Sequence, residues 1–375
     1  MPVDFTLSES EANVRAQAAG FAQHVLLPAR DQYLAHPEHH MRFQSIKPTY
    51  ETAVAGGMLK GLVAPSLDGA SGSLVEAAIL VEECYAVEPS AALTIFATGL
   101  GLTPLNVVGD PKFKKFVEPF LSGKGAPLAS LVFSEPGGSA NFLEKGAPGL
   151  STTARKEGDE WIINGEKIWA CSSAGWDWEG ADLGCVVCRD VTTEAAADGD
   201  PKDNVMIILV TREDIERNAK GAFKTLRKLQ TMGHTAVAGP HIKYTDLRVP
   251  AGNVLCQPGE GSDVVLKAFD FSAVLVGAMS VGIMRAAFEH ALAFAKKDNR
   301  GGAVPLLERQ AFADLLTGIK MQIEACRALT WKAAHCLHNG PGDYAARKEL
   351  CLAAKIYCSD TCVKAVTNAI NAVGM

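Results

Sequence analysis

The sequence predicts an α+β fold in three parts: an N-terminal helical domain over residues 1–125, a middle antiparallel β domain over 126–249, and a C-terminal helical domain, an incomplete bundle, over 250–375. Three observations carry this division. Apolar residues recur at helical spacing, with interruptions, as far as Gly123. From Ala126 to Val249 the period shortens to the alternation of strands. After a loop at 250–263 the helical period returns and holds to the end.

In the first part, Ser8 with Glu11 three residues on opens a helix as a capping box. Breaks are expected at Pro28, at 36–40, at Gly56-Gly57, at 65–72 and at 104–111, leaving several helices of moderate length. His36, His39 and His40 surround Pro37 without an i, i+4 pair, so they read as a solvated loop and not as metal ligands.

In the second part, strands are expected at 128–133, 183–188, 205–210 and 241–247. Between the first two, 152–156 alternates, Glu157-Gly158-Asp159 turns, and 161–163 alternates again. Asn164-Gly165 then signals a second hairpin before 166–169. The result is an antiparallel meander. The preceding SEPGGSAN, residues 134–141, either turns the chain or aims backbone N–H groups at an anion or a ring edge. Residues 192–203 read as an exposed loop and the basic stretch 220–228 as a solvated excursion. Cys185 and Cys188 form a lone C-x-x-C in an apolar strand, which does not make a zinc site.

In the third part, 264–298 is apolar nearly all round between Phe269 and Met284, as expected of a helix buried on several sides or set at a subunit interface. Further helices are expected at 306–337 and 344–373. The chain has 375 residues, 48% of them hydrophobic, and a net charge of -6, with a pI near 5.9. Such a balance gives no footprint for nucleic acid and suits an enzyme with a small-molecule substrate. No apolar run reaches the length of a membrane span and the N-terminus lacks a leader pattern. Ten cysteines without scaffold spacing suit reduced thiols. The expected location is cytoplasmic, with no membrane partner.

Several motifs stand together: SEPGGS at 134–139, TTARKEGDEWIINGEKIW at 152–169, AGWD at 174–177, GADLGCVVCR at 180–189 and AVGM at 372–375. With them the chain resembles the acyl-CoA dehydrogenase superfamily, and within it the branch that oxidises nitroalkanes. The resemblance runs from Asp4 to the last residue. It implies an acyl-CoA dehydrogenase-like fold, FAD as cofactor, O2 as co-substrate and a homotetramer. It also implies conversion of a nitroalkane, O2 and water to an aldehyde or ketone, nitrite and H2O2. On the β domain it places Leu131, Phe133, Ser134, Ser139, Asn141, Trp169, Ala170 and Cys171 at the cofactor. Arg300 and Gln310 resemble the residues that reach the FAD of a neighbouring subunit, and Asn371 and Gly374 match two further contacts. Cys171 departs from the family, which usually has a Thr or Ser hydroxyl there, and a thiol is a weaker donor. Ser172 is adjacent but, on a strand, points to the opposite face.

The proton-abstracting carboxylate of this branch is an aspartate, helped by an arginine, in the segment after AVGM. The resemblance therefore implies that the base and the last bundle elements lie outside these residues, and that the chain as it stands turns over neutral nitroalkanes poorly. Ser272 and Ala273 occupy the positions where some relatives carry a base and an arginine on the long helix. Ser272 is implied in support of the missing carboxylate, and Asp270 reads as structural. An acyl-CoA dehydrogenase and a non-catalytic protein of the same fold are the alternatives.

Overall fold

The computed structural model describes residues 6–194 and 199–374. They form two compact units. One is assembled from the chain up to Pro28, Gly72–Ala92 and the residues from Phe269 on; the other comprises Ala29–Ser71 and Leu93–Ala268.

The helical start follows its local chemistry. Ser8 caps α1 (Glu9–Phe21) and Glu11 returns the bond. The break expected at Pro28 does not occur, because a π-turn at Ala22–Leu26 leads into α2 (Leu27–Leu34). Proline lacks an N–H and its ring crowds the carbonyl four residues back; the wider turn just before it gives that ring room. His39 and His40 are half-buried at the start of α3 (His39–Ser45), not in a loop. Next come α4 (Lys47–Ala55), α5 (Leu74–Tyr85), α6 (Pro89–Val108), which carries Pro104 inside it, and α7 (Lys114–Leu121).

One eight-stranded sheet holds β1 (Ala129–Val132), β2 (Thr153–Glu157), β3 (Glu160–Ile168), β4 (Leu183–Asp190), β5 (Val205–Thr211), β6 (Phe223–Arg227), β7 (His241–Pro250) and β8 (Val254–Cys256), ordered β6-β7-β3-β2-β4-β5-β8 with β1 also on β4. The expected antiparallel domain is thus a mixed sheet. β1 runs parallel to Leu183–Val186 and β2 runs parallel to Arg189 and Asp190, so the two lie end to end along one edge of β4. The basic stretch expected in solvent supplies β6, paired with β7. The expected loop after residue 250 contains β8. Residues 195–198 of the expected loop lie outside the described residues, and its end forms α8 (Pro201–Asn204); α9 (Arg212–Glu216) follows β5.

The second hairpin of the expected meander is absent. β3 runs on through Asn164 and Gly165 and pairs with β7, with a register shift between Ile163 and Gly165. The Asn164 side-chain amide donates to Asp246 at 2.9 Å and its oxygen accepts the Asp246 N–H at 2.8 Å. Gly165, at φ 144, passes Thr152 so closely that a Cβ would stand 2.6 Å from the Thr152 Cα. The Asn-Gly pair lies opposite a bulge in β7, where Asp246 takes φ 48, and does not turn the chain. Gly165→Ala is expected to cost about 1–3 kcal/mol, read as a fall in the urea midpoint. An unchanged midpoint would mean that β3 can move off Thr152.

Three long helices complete the chain: α10 (Gly261–Ala295), α11 (Gln310–Asn339) and α12 (Tyr344–Gly374). Of the sixteen residues from 269 to 284, nine are buried within their own chain and the other seven are half-buried. Val281 and Met284 pack with Ile319 and Cys358, and Val274 packs with Leu74, Leu337 and Ala354. Against the sequence expectation, α6 and α10 are long and apolar enough to cross a membrane by length and composition, although 61% and 50% of those windows are buried inside the protein. The exposed apolar row lies on α12, at Leu352, Ile356, Val363 and Ile370.

Candidate active site

The gap between β1 and β2 organises the candidate site. β1 ends at Val132 and β2 begins at Thr153, so the SEPGGSAN loop emerges where the edge of β3 beyond Asn164 has no strand beside it. The loop docks on that edge instead, through an Ile168 N–H bond to the Ser134 carbonyl at 2.9 Å. Leu131 and Phe133 are buried, and Phe133 meets Phe142 edge to face at 5.0 Å. Ser139 accepts the Glu135 N–H at 2.9 Å. Asn141 is exposed, and its carbonyl accepts the Glu144 N–H.

The chain leaves β3 in a tight reversal. Trp169 and Ser172 both adopt positive φ, 64° and 61°, so the strand geometry expected of this stretch does not apply and alternation says nothing about which way Cys171 and Ser172 point. The reversal is tied down by N–H bonds from Trp169 to the Pro240 carbonyl and from Ser172 to that of Ala238. Trp169 is 50% exposed, unusual for so large a ring at a strand end. Ala170 is buried. Burial pushes the Cys171 thiol up to about 11, so it is neutral near pH 7. Among the described residues the buried hydroxyls of Ser172 and Ser173 have no hydrogen-bond partner.

These features fit an isoalloxazine. An exposed indole, an apolar wall and unpartnered buried donors are what a flat, polar-edged ring system requires. The loop glycines Gly137 and Gly138 have open space where a side chain would stand, leaving their backbone free to approach a ligand.

Two residues that sequence reasoning missed hold this arrangement. Lys167 and Glu135 form a fully buried ion pair at 2.9 Å. Burial pushes the Glu135 carboxyl up, but the Lys167 ammonium and the N–H groups of Ser151 and Thr152 outweigh it and hold it below the ordinary carboxylate value. The available signal was a lysine just before the apolar Ile168-Trp169 strand end, with a glutamate in the loop upstream.

The remaining residues lie in the other unit. Arg300 sits at φ 50 in the turn after α10, with its guanidinium over the Phe294 ring at 5.2 Å and donating to the Val373 carbonyl. Arg300 is thereby brought to the segment that carries Asn371 and Gly374. Gln310, at the start of α11, donates to Asp314 at 3.0 Å. Ser272 donates to the Phe269 carbonyl at 3.0 Å, within its own helix. Asp270, 5% exposed, accepts from the Tyr344 hydroxyl at 3.0 Å.

Burial raises the Asp270 carboxyl pKa, against the Tyr344 bond and the Lys348 charge. The folded state therefore binds this proton more tightly than the unfolded chain. The associated stability is complete below the unfolded pKa and is lost as pH rises through the folded one. Asp270→Asn removes that titration. Its stability relative to the natural protein is expected to improve as pH rises from about 4, measured by urea unfolding across a pH series. A constant difference would show that Asp270 does not titrate in the fold.

Residues 8–124 match the acyl-CoA dehydrogenase N-terminal domain and residues 259–375 the acyl-CoA dehydrogenase C-terminal domain. The chain is 64% identical to nitroalkane oxidase of Podospora anserina, covering 100% of this chain and 87% of that protein. The chain belongs to the acyl-CoA dehydrogenase family. Nitroalkane oxidase of Fusarium oxysporum is 45% identical, over 100% of this chain and 86% of its own length. The Podospora anserina nitroalkane oxidase structure superposes with a TM-score of 0.97 at 63% identity, covering 100% of this chain and 88% of that one. These close relatives are flavoproteins, and the acyl-CoA dehydrogenase family is FAD-dependent.

Proposed function

We propose that this protein is an FAD-dependent oxidase that takes a nitroalkane, O2 and water to an aldehyde or ketone, nitrite and hydrogen peroxide. The observation that carries the reading is the 64% identity to a nitroalkane oxidase along the whole chain. When bound, FAD supplies the redox step, accepting two electrons from the substrate and passing them to O2.

The chain's own residues bind, orient and exclude water. Leu131 and Phe133 form the apolar wall, and Trp169 offers a ring face. Ser172 and Ser173 offer hydroxyls with no other use. Arg300 is suited to a pyrophosphate, because a guanidinium pairs with phosphate oxygens through charge-assisted bonds; Gln310, Asn371 and Gly374 complete that contact. Ser272 stands on α10 as the supporting hydrogen-bond donor for a proton-abstracting carboxylate, a role that requires it to leave the Phe269 carbonyl. The exposed row on α12 supports self-association, read here as a homotetramer; light scattering that gives a monomer at micromolar concentration contradicts it.

The test supplies FAD and the pre-formed nitroethane anion in air and measures nitrite and peroxide. Both products are expected in equal amounts. Their absence, together with anaerobic flavin reduction by an acyl-CoA, would replace this reading with that of a dehydrogenase.

A further inference from the structure

We propose that the buried Glu135–Lys167 pair is the positioning device of the cofactor pocket, fixing the Ser134 loop and the Trp169 turn in the arrangement that accepts FAD. The inference rests on the FAD reading above and goes beyond it, because neither side chain is itself a cofactor contact.

The bonds converge on backbone. The Lys167 Nζ donates to the Phe133 carbonyl at 2.8 Å and to Glu135 Oε1 at 2.9 Å. Glu135 accepts the Ser151 N–H on Oε2 at 2.6 Å and the Thr152 N–H on Oε1 at 2.8 Å. Its own N–H goes to Ser139 Oγ, and the intervening Ser134 carbonyl takes the Ile168 N–H. Phe133, Ser134 and Glu135 are thus held at three successive residues. The far end of the loop, at Ser151 and Thr152, is held by the same carboxylate. Lys167 lies two residues before Trp169, so one ion pair sets the spacing between both walls of the pocket.

Stability alone does not account for the pair. The desolvation of a buried ion pair offsets most of its attraction, and apolar residues of equal volume often stabilise as well or better. Apolar residues cannot bond the Phe133 carbonyl or the Ser151 and Thr152 N–H groups, which face a gap in the sheet where no strand serves them. A loop with Pro136, Gly137 and Gly138 has little stiffness of its own at that gap. The ion pair replaces the missing ladder with directed bonds.

The charge-free double variant E135Q/K167M tests this without leaving a lone buried charge. FAD affinity is measured by flavin fluorescence at a temperature where circular dichroism shows both proteins folded. Affinity is expected to fall at least about tenfold, with the flavin absorption bands shifting toward those of free FAD. A lowered unfolding temperature with unchanged FAD affinity and spectrum would overturn the proposal. Should the variant not fold, amide hydrogen exchange on the FAD-free natural protein decides. Protection of Glu135, Ser151, Thr152 and Ile168 before FAD is added is the expected result; protection gained only with FAD would show that the cofactor orders the loop, and would sink the proposal. Failure of the natural protein to bind FAD would instead overturn the functional reading.

Discussion

Glu82→Ala is expected to destabilise the protein by about 3–5 kcal/mol, the usual effect of removing one partner from a buried ion cluster. The Glu82 carboxylate is 5% exposed. It accepts from Arg285 on α10 at 3.0 Å, and from Nε and Nη2 of Arg327 on α11 at 3.0 and 2.8 Å. Arg285 keeps Glu83 after the substitution. Among the described residues Arg327 keeps Glu324, whose side chain is 52% exposed and screened by water. The loss therefore falls on one guanidinium held in a largely buried position. Glu324→Ala, at the exposed edge of the same cluster, is expected to cost less than about 1 kcal/mol. Urea unfolding of both variants checks the contrast. The double variant Glu82→Ala/Arg327→Met is expected to regain much of the loss, since no charge is then stranded; equal destabilisation by all three would refute the account.

Arg300→Ala is expected to weaken FAD binding by about ten- to hundredfold, from a charge-assisted pairing worth roughly 1.5–3 kcal/mol. The guanidinium is 48% exposed and, among the described residues, meets the Val373 carbonyl, the Asp298 carboxylate and the Phe294 face. Little folding energy is at stake in such contacts, so the unfolding temperature is expected to move by no more than a few degrees. FAD titration of a variant with unchanged affinity would remove Arg300 from the site.

The periods in the sequence located the helices and strands well, because burial of one face is a local property of the pattern. Local turn signals misled where a distant residue decided the outcome. Asn164-Gly165 has the chemistry of a hairpin, yet Asp246 occupies the Asn164 side chain and Thr152 fills the space beside Gly165, and neither is near in sequence. Pro28 likewise reads as a stop, but a π-turn just before it lets the helix continue. In the site, Trp169 and the SEPGG loop were legible as a motif. The Glu135–Lys167 pair was not, since a lysine in a strand reads as solvent-facing and its partner lies 32 residues away in the chain. Nor did the alternation of a strand foretell the positive φ at Trp169 and Ser172.

The Glu82 cluster also has a consequence for biosynthesis. Arg285 lies 203 residues after Glu82, so at roughly 5–20 residues per second a ribosome needs on the order of 10–40 s to deliver the first cation after the acid has emerged. For that interval the nascent α5 has Arg15 beside Glu83 but neither cation of Glu82, and the N-terminal third of the chain cannot reach its finished state until α10 and α11 have emerged. A trigger-factor- or Hsp70-type chaperone that covers short apolar helices has its natural point of action there, and the yield of folded protein in cell-free synthesis should depend on such a chaperone more than refolding of the released full-length chain does.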